Sequence, residues 1–382
     1  EGAVADLAAA GAAHHPGLVD GEGREVVVEH EGLARDEAQV VDDLLVLGGA
    51  ERGHDQGLRL PAGEDGGAVG AREEPDLTGD GADLVEAAPG DDELNGLGYR
   101  TRVRLHVDAE TGAVGPYAAR SRRVIPVDSL PLASDEIASI APLADQMPDA
   151  ATVDLIAPAA DDPRMLITLV GDKKPAGGAD VVRELVEDRG FLVRAGGFWQ
   201  VHREAPATLF TAVRDAIQDL IDDDRFDPSA GNLDLYGGVG LLAAAMAEAG
   251  GPGTTVTTVE PEASATDDAS ENLSELLGAL AVTARVDRHL ADLLKSAKPV
   301  RDRLRRGTIV LDPPRSGAGG GVTAQIVELA PANIVYVACD PVALARDTKS
   351  LRDAGYELTG LRAFDIFPHT HHFESLATFE RA

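Results

Sequence analysis

The chain has 382 residues, 44% of them hydrophobic, a formal net charge of −32 and a single cysteine. No apolar run approaches the roughly 18 residues that a membrane-spanning helix needs, and one cysteine excludes an internal disulfide and a four-cysteine zinc or iron–sulfur centre within the chain. The beginning of the sequence carries neither the basic head nor the apolar stretch of a secretory signal, so the cytoplasm is the expected compartment, without membrane association.

Residues 1–98 hold 24 acidic residues against five arginines and no lysine, so most of the negative charge is segregated there. This segment has no aromatic residue, Ile, Met, Ser or Lys. Such a composition buries little surface and specifies a fold poorly. A strand over 24–34 (REVVVEHEGLA) and a helix over 37–49 (EAQVVDDLLVLGG) are its only structured readings.

From Tyr99 the texture changes. The stretch YRTRVRLHVDAETGAVGPYAARSRRVIPV reads as a basic β-hairpin with a turn at DAETGAVG. Period-two spacing puts Arg100, Arg102 and Arg104 on one face, joined by Arg120, Arg122 and Arg123 from the next strand. That face is either ordinary solvated surface or a patch that contacts RNA phosphates. Strands are expected at ATVDLIAP, MLITLV and GFLVRAGGFWQV, and a helix at ADVVRELVEDRG ending at Gly190. Residues 99–197 are therefore expected to form a mixed, strand-rich domain.

After Gln200 strands and helices alternate. APATLFTAVRDAIQDLI is an amphipathic helix. NLDLYGG, TTVTTVEP, GTIVLDPP, ANIVYVACDP and YELTGLRAFDIF read as strands, with helices at VGLLAAAMAEAG, 322–330 and 342–354. This pattern predicts a doubly wound α/β domain over 198–382, with ligands beyond the C-terminal strand ends.

Three of those ends carry chemistry. In DLYGGVG, the glycines let a nucleoside cofactor approach the backbone at a helix start. Gly238, Gly240 and Ala243 fit the dinucleotide spacing G-x-G-x-x-A, with Glu260 about twenty residues on, so NAD stays open here. Asp234, just before the glycines, suits the cationic amino group of S-adenosylmethionine, and Glu260 suits ribose hydroxyls under either cofactor. In VLDPPRSG, two prolines make a rigid turn that places Asp312 at the crevice edge. Arg315 follows, where amino-group methyltransferases favour an aromatic residue. Cys339 ends the next strand. A buried inert thiol is the commoner situation, but methylation at pyrimidine C5 calls for a thiolate that adds to C6 and a base that removes the C5 proton. Glu374, in FPHTHHFES beside His369, His371 and His372, is the candidate base.

Together FWQV, LDLYGGVG, VE, LDPPRSG, YVACDP and FPHTHHFES resemble, over about residues 99–382, the RNA uracil-C5 methyltransferases that make 5-methyluridine in tRNA and ribosomal RNA. The resemblance implies a Rossmann-like methyltransferase domain preceded by an RNA-binding domain, S-adenosylmethionine as cofactor with no metal, and an RNA partner. A monomer is expected. Carried over by position, Cys339 is the nucleophile and Glu374 the proton acceptor. Gln200, Tyr236, Gly240, Leu241, Glu260 and Asp312 correspond to the family's cofactor sites, with Gln200 and Asp312 also near the flipped uracil; Asp234 and Gly238 join the cofactor set from the strand-end reading above. Arg100, Arg102 and Arg122 are the candidate RNA contacts. The chain has Gly237 where the family often has Cys, Asp340 where it has Asn, and Leu241 where some members have a polar residue. The family's small β-barrel domain and four-cysteine iron–sulfur motif are not recognisable. A cytosine-C5 RNA methyltransferase would need a second cysteine at the D-P-P turn. A catalytically silent RNA-binding relative is the alternative outside the enzymes.

Overall fold

A computed structural model of the protein describes residues 85–370 and 372–382; the strand expected over 24–34, the helix over 37–49, and His371 lie outside the described residues. Contacts divide the chain into Glu1–Glu86 and Ala87–Ala382, and the second unit contains every site treated below.

A three-residue strand, β1 (Val85–Ala87), opens the described residues. The basic hairpin forms, with β2 (Arg102–Val107) paired antiparallel to the short β3 (Val114–Gly115). Strands β4 (Ala150–Ile156) and β5 (Arg164–Leu169) complete a four-stranded sheet in the order β3-β2-β4-β5. Leu105, Val153 and Leu155 point into its core, which the helix α1 (Asp135–Ile140) covers through Ile137. The Ser134 hydroxyl caps α1 by accepting the Ile137 amide.

The helix expected up to Gly190 is instead a β-hairpin, β6 (Val181–Val186) and β7 (Arg189–Arg194). VVRELV carries apolar residues at spacings that either period accommodates. The strand wins because Val182, Glu184 and Val186 alternate inward and Val182 joins Phe191 and Val193 in a core shared with the following helix.

That helix, α2 (Ala205–Asp222), starts with Pro206 in its first turn and buries Leu209, Phe210, Val213, Ile217 and Leu220 at three- and four-residue spacing. The α/β alternation then runs β8 (Asn232–Leu235), α3 (Leu241–Gly250), β9 (Val256–Glu260), α4 (Ala263–Asn272), β10 (Ala279–Thr283), α5 (Val286–Leu294), α6 (Lys298–Leu304), β11 (Thr308–Leu311), α7 (Gly319–Leu329), β12 (Asn333–Ala338), α8 (Pro341–Asp353), β13 (Tyr356–Asp365) and β14 (Glu374–Arg381). Among these strands the sheet order is β13-β14-β12-β11-β8-β9-β10. Strands β8 to β12 pair in parallel, and β14 inserts antiparallel between β12 and β13. Every residue of β8, β11 and β12 is buried, the signature of strands covered on both faces. Helix α2 packs on α3, while α5, α7 and α8 pack in a row, giving the doubly wound arrangement.

Candidate active site

The parallel strands β8, β9, β11 and β12 end at Leu235, Glu260, Leu311 and Ala338, and a cleft of about 710 Å³ opens over these ends. Gln200, Tyr236, Gly238, Leu241, Glu260, Asp312, Cys339, Glu374 and Arg100 line it. The fold thus gathers residues that the sequence spreads over more than two hundred positions.

The loop after β8 is shaped by close approach. Tyr236 takes φ +63°, a left-handed conformation rare for an aromatic residue, and Gly240 takes φ +90° as it opens α3. Gly237 lies directly on Asp234: a Cβ there would come within 2.3 Å of Asp234 Oδ2 and 1.9 Å of Thr258 Oγ1. Asp234 itself is fully buried, its Oδ2 accepts the Thr258 hydroxyl at 2.8 Å, and Oδ1 has no hydrogen-bond partner. Burial pushes its carboxyl up to about 7 against the pulls of the Thr258 hydroxyl and the Ala243 backbone amide, with Glu260 adding to the rise. An orphaned buried carboxylate oxygen under a glycine loop fits a cationic ligand group, which would restore its ionised form. Glu260 accepts the Gly238 amide at 3.2 Å and the Glu262 amide at 2.9 Å, so its carboxylate is fixed at the cleft wall.

Across the ends of β11 and β12 the acids crowd one thiol. Asp312 leaves β11 with its amide bonded to Leu235 O, and burial with the neighbouring Asp234 pushes its carboxyl up to about 7. Glu374 is 4% exposed, its Oε2 is unpartnered, and burial followed by Asp312 holds its carboxyl well above the usual range. Burial, then Glu374 and Asp312, push the Cys339 thiol up to about 11, and Arg315 opposes the shift. The resting sulfur is therefore a protonated thiol in a carboxyl-rich pocket, and the nearby cation favours its ionisation.

Asp340 and Pro341 turn the chain into α8: the Asp340 side chain accepts the Ala343 amide at 2.8 Å as an N-cap. Asn serves that role equally, so the departure at Asp340 leaves the turn intact.

The arginine patch divides. Arg100 reaches the cleft. Arg102 does not present a free charge: its side chain is 10% exposed, donates to Glu184 Oε1 at 3.0 Å, and also donates to the Ala195 and Gly197 carbonyls. Arg102, read as part of a solvated or RNA-facing surface, is instead packed against Glu184 of β6 and the chain just after β7, which leaves it no free charge for an RNA phosphate. Arg104 pairs with Asp154 across β4. Arg120, Arg122 and Arg123 are exposed, in and just after a turn beyond β3, and do not share a strand face with Arg102.

Several cleft residues were given no role from sequence. Arg315 and His372 line it beside Cys339 and Glu374. Phe198 stands at its rim, 73% exposed. Arg315 had a signal, because it follows the D-P-P turn directly. Among the described residues no group of three His, Cys, Asp or Glu side chains is placed to hold a metal, and no helix is long and apolar enough to cross a membrane.

Comparison with known proteins gives concordant matches. The sequence model of the tRNA (uracil-5-)-methyltransferase family matches residues 280–382. An uncharacterized RNA methyltransferase of Streptomyces avermitilis is 36% identical over 310 residues, 74% of this chain and 67% of that protein. One from Bifidobacterium longum is 33% identical, covering 78% of this chain and 70% of that protein. A 73-residue stretch is 53% identical to the 23S rRNA (uracil(1939)-C(5))-methyltransferase RlmD of Photorhabdus laumondii, 19% of this chain and 16% of that protein. The chain spans 64 to 70% of the length of the first three such relatives. Among solved structures, the Pyrococcus abyssi tRNA (uracil-54, C5)-methyltransferase in complex with S-adenosyl-L-homocysteine shares the fold, with a TM-score of 0.56 at 18% identity, covering 77% of this chain and 78% of that one.

Proposed function

We propose, on the premise that this chain belongs to the RNA uracil-5 methyltransferase family, that it transfers a methyl group from S-adenosylmethionine to C5 of a uridine in tRNA or ribosomal RNA. The observation that carries this reading is the convergence of Cys339 and Glu374 in the same cleft that the Tyr236–Gly238 loop and Glu260 line, with buried Asp234 directly behind that loop.

Asp234 would hold the cofactor's ammonium group through its unpartnered oxygen, Glu260 the ribose hydroxyls, and the Gly238–Leu241 turn the remaining contacts. When bound, S-adenosylmethionine supplies an electrophilic methyl group. The chain's own residues do the rest. After the thiol proton leaves to solvent, Cys339 Sγ bonds to C6 and the C5=C6 electron pair moves onto C5 and the C4 carbonyl oxygen, making C5 nucleophilic. Once C5 carries the methyl group, Glu374 takes the C5 proton and the electron pair re-forms C5=C6 as the S–C6 bond breaks. Burial raises the Glu374 carboxyl and so makes its ionised form a stronger base than an exposed carboxylate, and the nearby Arg315 favours that ionised form. The base must be extruded from its stack to reach a thiol at the cleft floor, and Gln200, Asp312 and Arg100 line the space that would receive it.

An oxidoreductase accounts for the glycines alone and leaves the thiol and its neighbouring carboxylates without work. A cytosine-C5 enzyme would need a second cysteine at the D-P-P turn, and the chain has only Cys339. The test is transfer from methyl-labelled S-adenosylmethionine into tRNA and ribosomal RNA transcripts, with nucleoside analysis by mass spectrometry. Label in 5-methyluridine supports the reading; label in 5-methylcytidine, or none in either RNA, contradicts it.

A further inference from the structure

The loop that carries Asp312 and Arg315 is clamped by side chains with no part in the chemistry above. Asp347, 1% exposed on α8, accepts the Ala318 amide at 2.8 Å, the Gly319 amide at 3.3 Å and the Tyr336 hydroxyl at 2.8 Å on one carboxylate oxygen. The Tyr336 hydroxyl itself accepts the Ala318 amide at 2.9 Å. Arg346 donates to the other Asp347 oxygen at 3.1 Å and to the Ser316 carbonyl at 2.7 Å. Gly317, at φ +73°, closes the turn with its amide on Pro314 O, and a Cβ there would strike Arg346 and Asp347. Charge-assisted hydrogen bonds of this kind are the strong ones, and here they converge on the four residues that follow Arg315.

Arg315 is what the clamp holds. It lines the cleft with Cys339, Asp312 and Glu374, and its charge favours the ionised forms of both Cys339 and Glu374. Of the other arginines on the cleft wall, Arg194 is paired with Asp268, and Arg100 lies over the Tyr99 ring. While the cleft is open, solvent screens the exposed guanidinium. An RNA that covers it lowers the local dielectric and strengthens its field.

We propose that Asp347, with Tyr336 and Arg346, is a positioning residue that fixes the 315–319 loop so that Arg315 faces the reacting atoms, stabilising the Cys339 thiolate and then the oxygen that receives negative charge when sulfur adds to C6. This rests on the uridine-C5 reading. A cation there would offset the negative charge that passes from sulfur to the C4 oxygen beside Asp312 and Glu374.

The experiment follows the covalent complex that the full chain forms with 5-fluorouridine RNA and S-adenosylmethionine, as a rate from pH 6 to 10, alongside cofactor affinity and thermal midpoint. The charged groups acting on the thiol are Glu374 from β14 and Asp312 and Arg315 from the loop after β11, and His372, just before β14, lines the same cleft. Arg315→Gln and Asp347→Asn should each slow adduct formation about tenfold and displace its rise to higher pH, since losing a cation raises the thiol's pKa. The double variant should be no slower than Arg315→Gln alone, Arg315→Lys should recover part of the rate, and Tyr336→Phe, a milder change, should fall between. Cofactor affinity should stay within about twofold, because Asp234 and Glu260 are untouched. The proposal is overturned if Asp347→Asn loses rate only in proportion to folded protein with an unmoved pH profile, or if the two effects multiply. Absence of any adduct with the wild-type chain overturns both the clamp and the reading beneath it, whereas a normal wild-type adduct unaffected by Asp347→Asn removes the clamp alone.

Discussion

Cys339 and Glu374 leave neighbouring antiparallel strands at the same level: Ala338 pairs with Ser375, so the next residue of β12 and the preceding residue of β14 stand opposite each other. The insertion of β14 between β12 and β13 creates this relationship. A parallel strand in that position would have carried its first residue to the far end of the sheet.

The raised carboxyl of Asp234 makes stability depend on pH in a direction opposite to an ordinary salt-bridged aspartate. Its folded value of about 7 lies above the unfolded value near 4, so the stability it contributes is full below the unfolded value and is lost as pH rises through the folded one. Between pH 6.5 and 8 the ligand-free protein should lose about 1 kcal/mol from this group. Thermal melts should show the midpoint falling over that range, and Asp234→Asn should flatten the fall. S-adenosylmethionine should stabilise more at pH 8 than at pH 6.5, because its ammonium group pairs with the ionised form. A midpoint that rises with pH in the wild type and in Asp234→Asn alike would count against the buried carboxyl.

Gly237→Ala should weaken S-adenosylmethionine binding by about 1 to 3 kcal/mol, as overpacking does, with Thr258 and Asp234 forced aside. Calorimetry measures it. Gly237→Ala combined with Thr258→Ala should recover part of the loss, since the nearest obstruction is the Thr258 hydroxyl. Unchanged affinity in the single variant would show that the loop relaxes freely.

The two kinds of arginine on the basic hairpin should separate experimentally. Arg102→Gln removes the partner of buried Glu184 and should lower the thermal midpoint, because a buried charge is left unpaired. Neutralising Arg120, Arg122 and Arg123 together should leave the midpoint nearly unchanged and flatten the fall of RNA affinity with salt. Equal salt slopes in wild type and triple variant would place RNA elsewhere.

Much of the α/β half is legible because buried parallel strands write themselves as apolar runs ended by Gly, Pro or Asp. Asp312, Cys339 and the glycine loop were found that way. The β6–β7 hairpin was misread because VVRELV satisfies two periods and only its packing against α2 decides between them. The Arg102–Glu184 pair was invisible for a related reason: period-two spacing shows which residues share a face but not what covers it. Nor does any periodicity announce that buried His202 accepts the Glu204 amide on Nδ1 and meets Asp91 through Nε2 at 3.0 Å. That contact draws residues of the acidic stretch, read as poorly specified, into the compact unit beside Gln200.

The most direct measurement concerns where the reaction stops when Glu374 cannot take the proton. Glu374→Gln incubated with RNA and methyl-labelled S-adenosylmethionine should accumulate a labelled protein–RNA complex that survives denaturing electrophoresis, with the RNA mapped by peptide mass to Cys339. Cys339→Ser should give neither complex nor methylated RNA, because a hydroxyl near neutral pH is far less nucleophilic than a thiolate. Normal turnover by Glu374→Gln, or 5-methyluridine made by Cys339→Ser, would contradict the account.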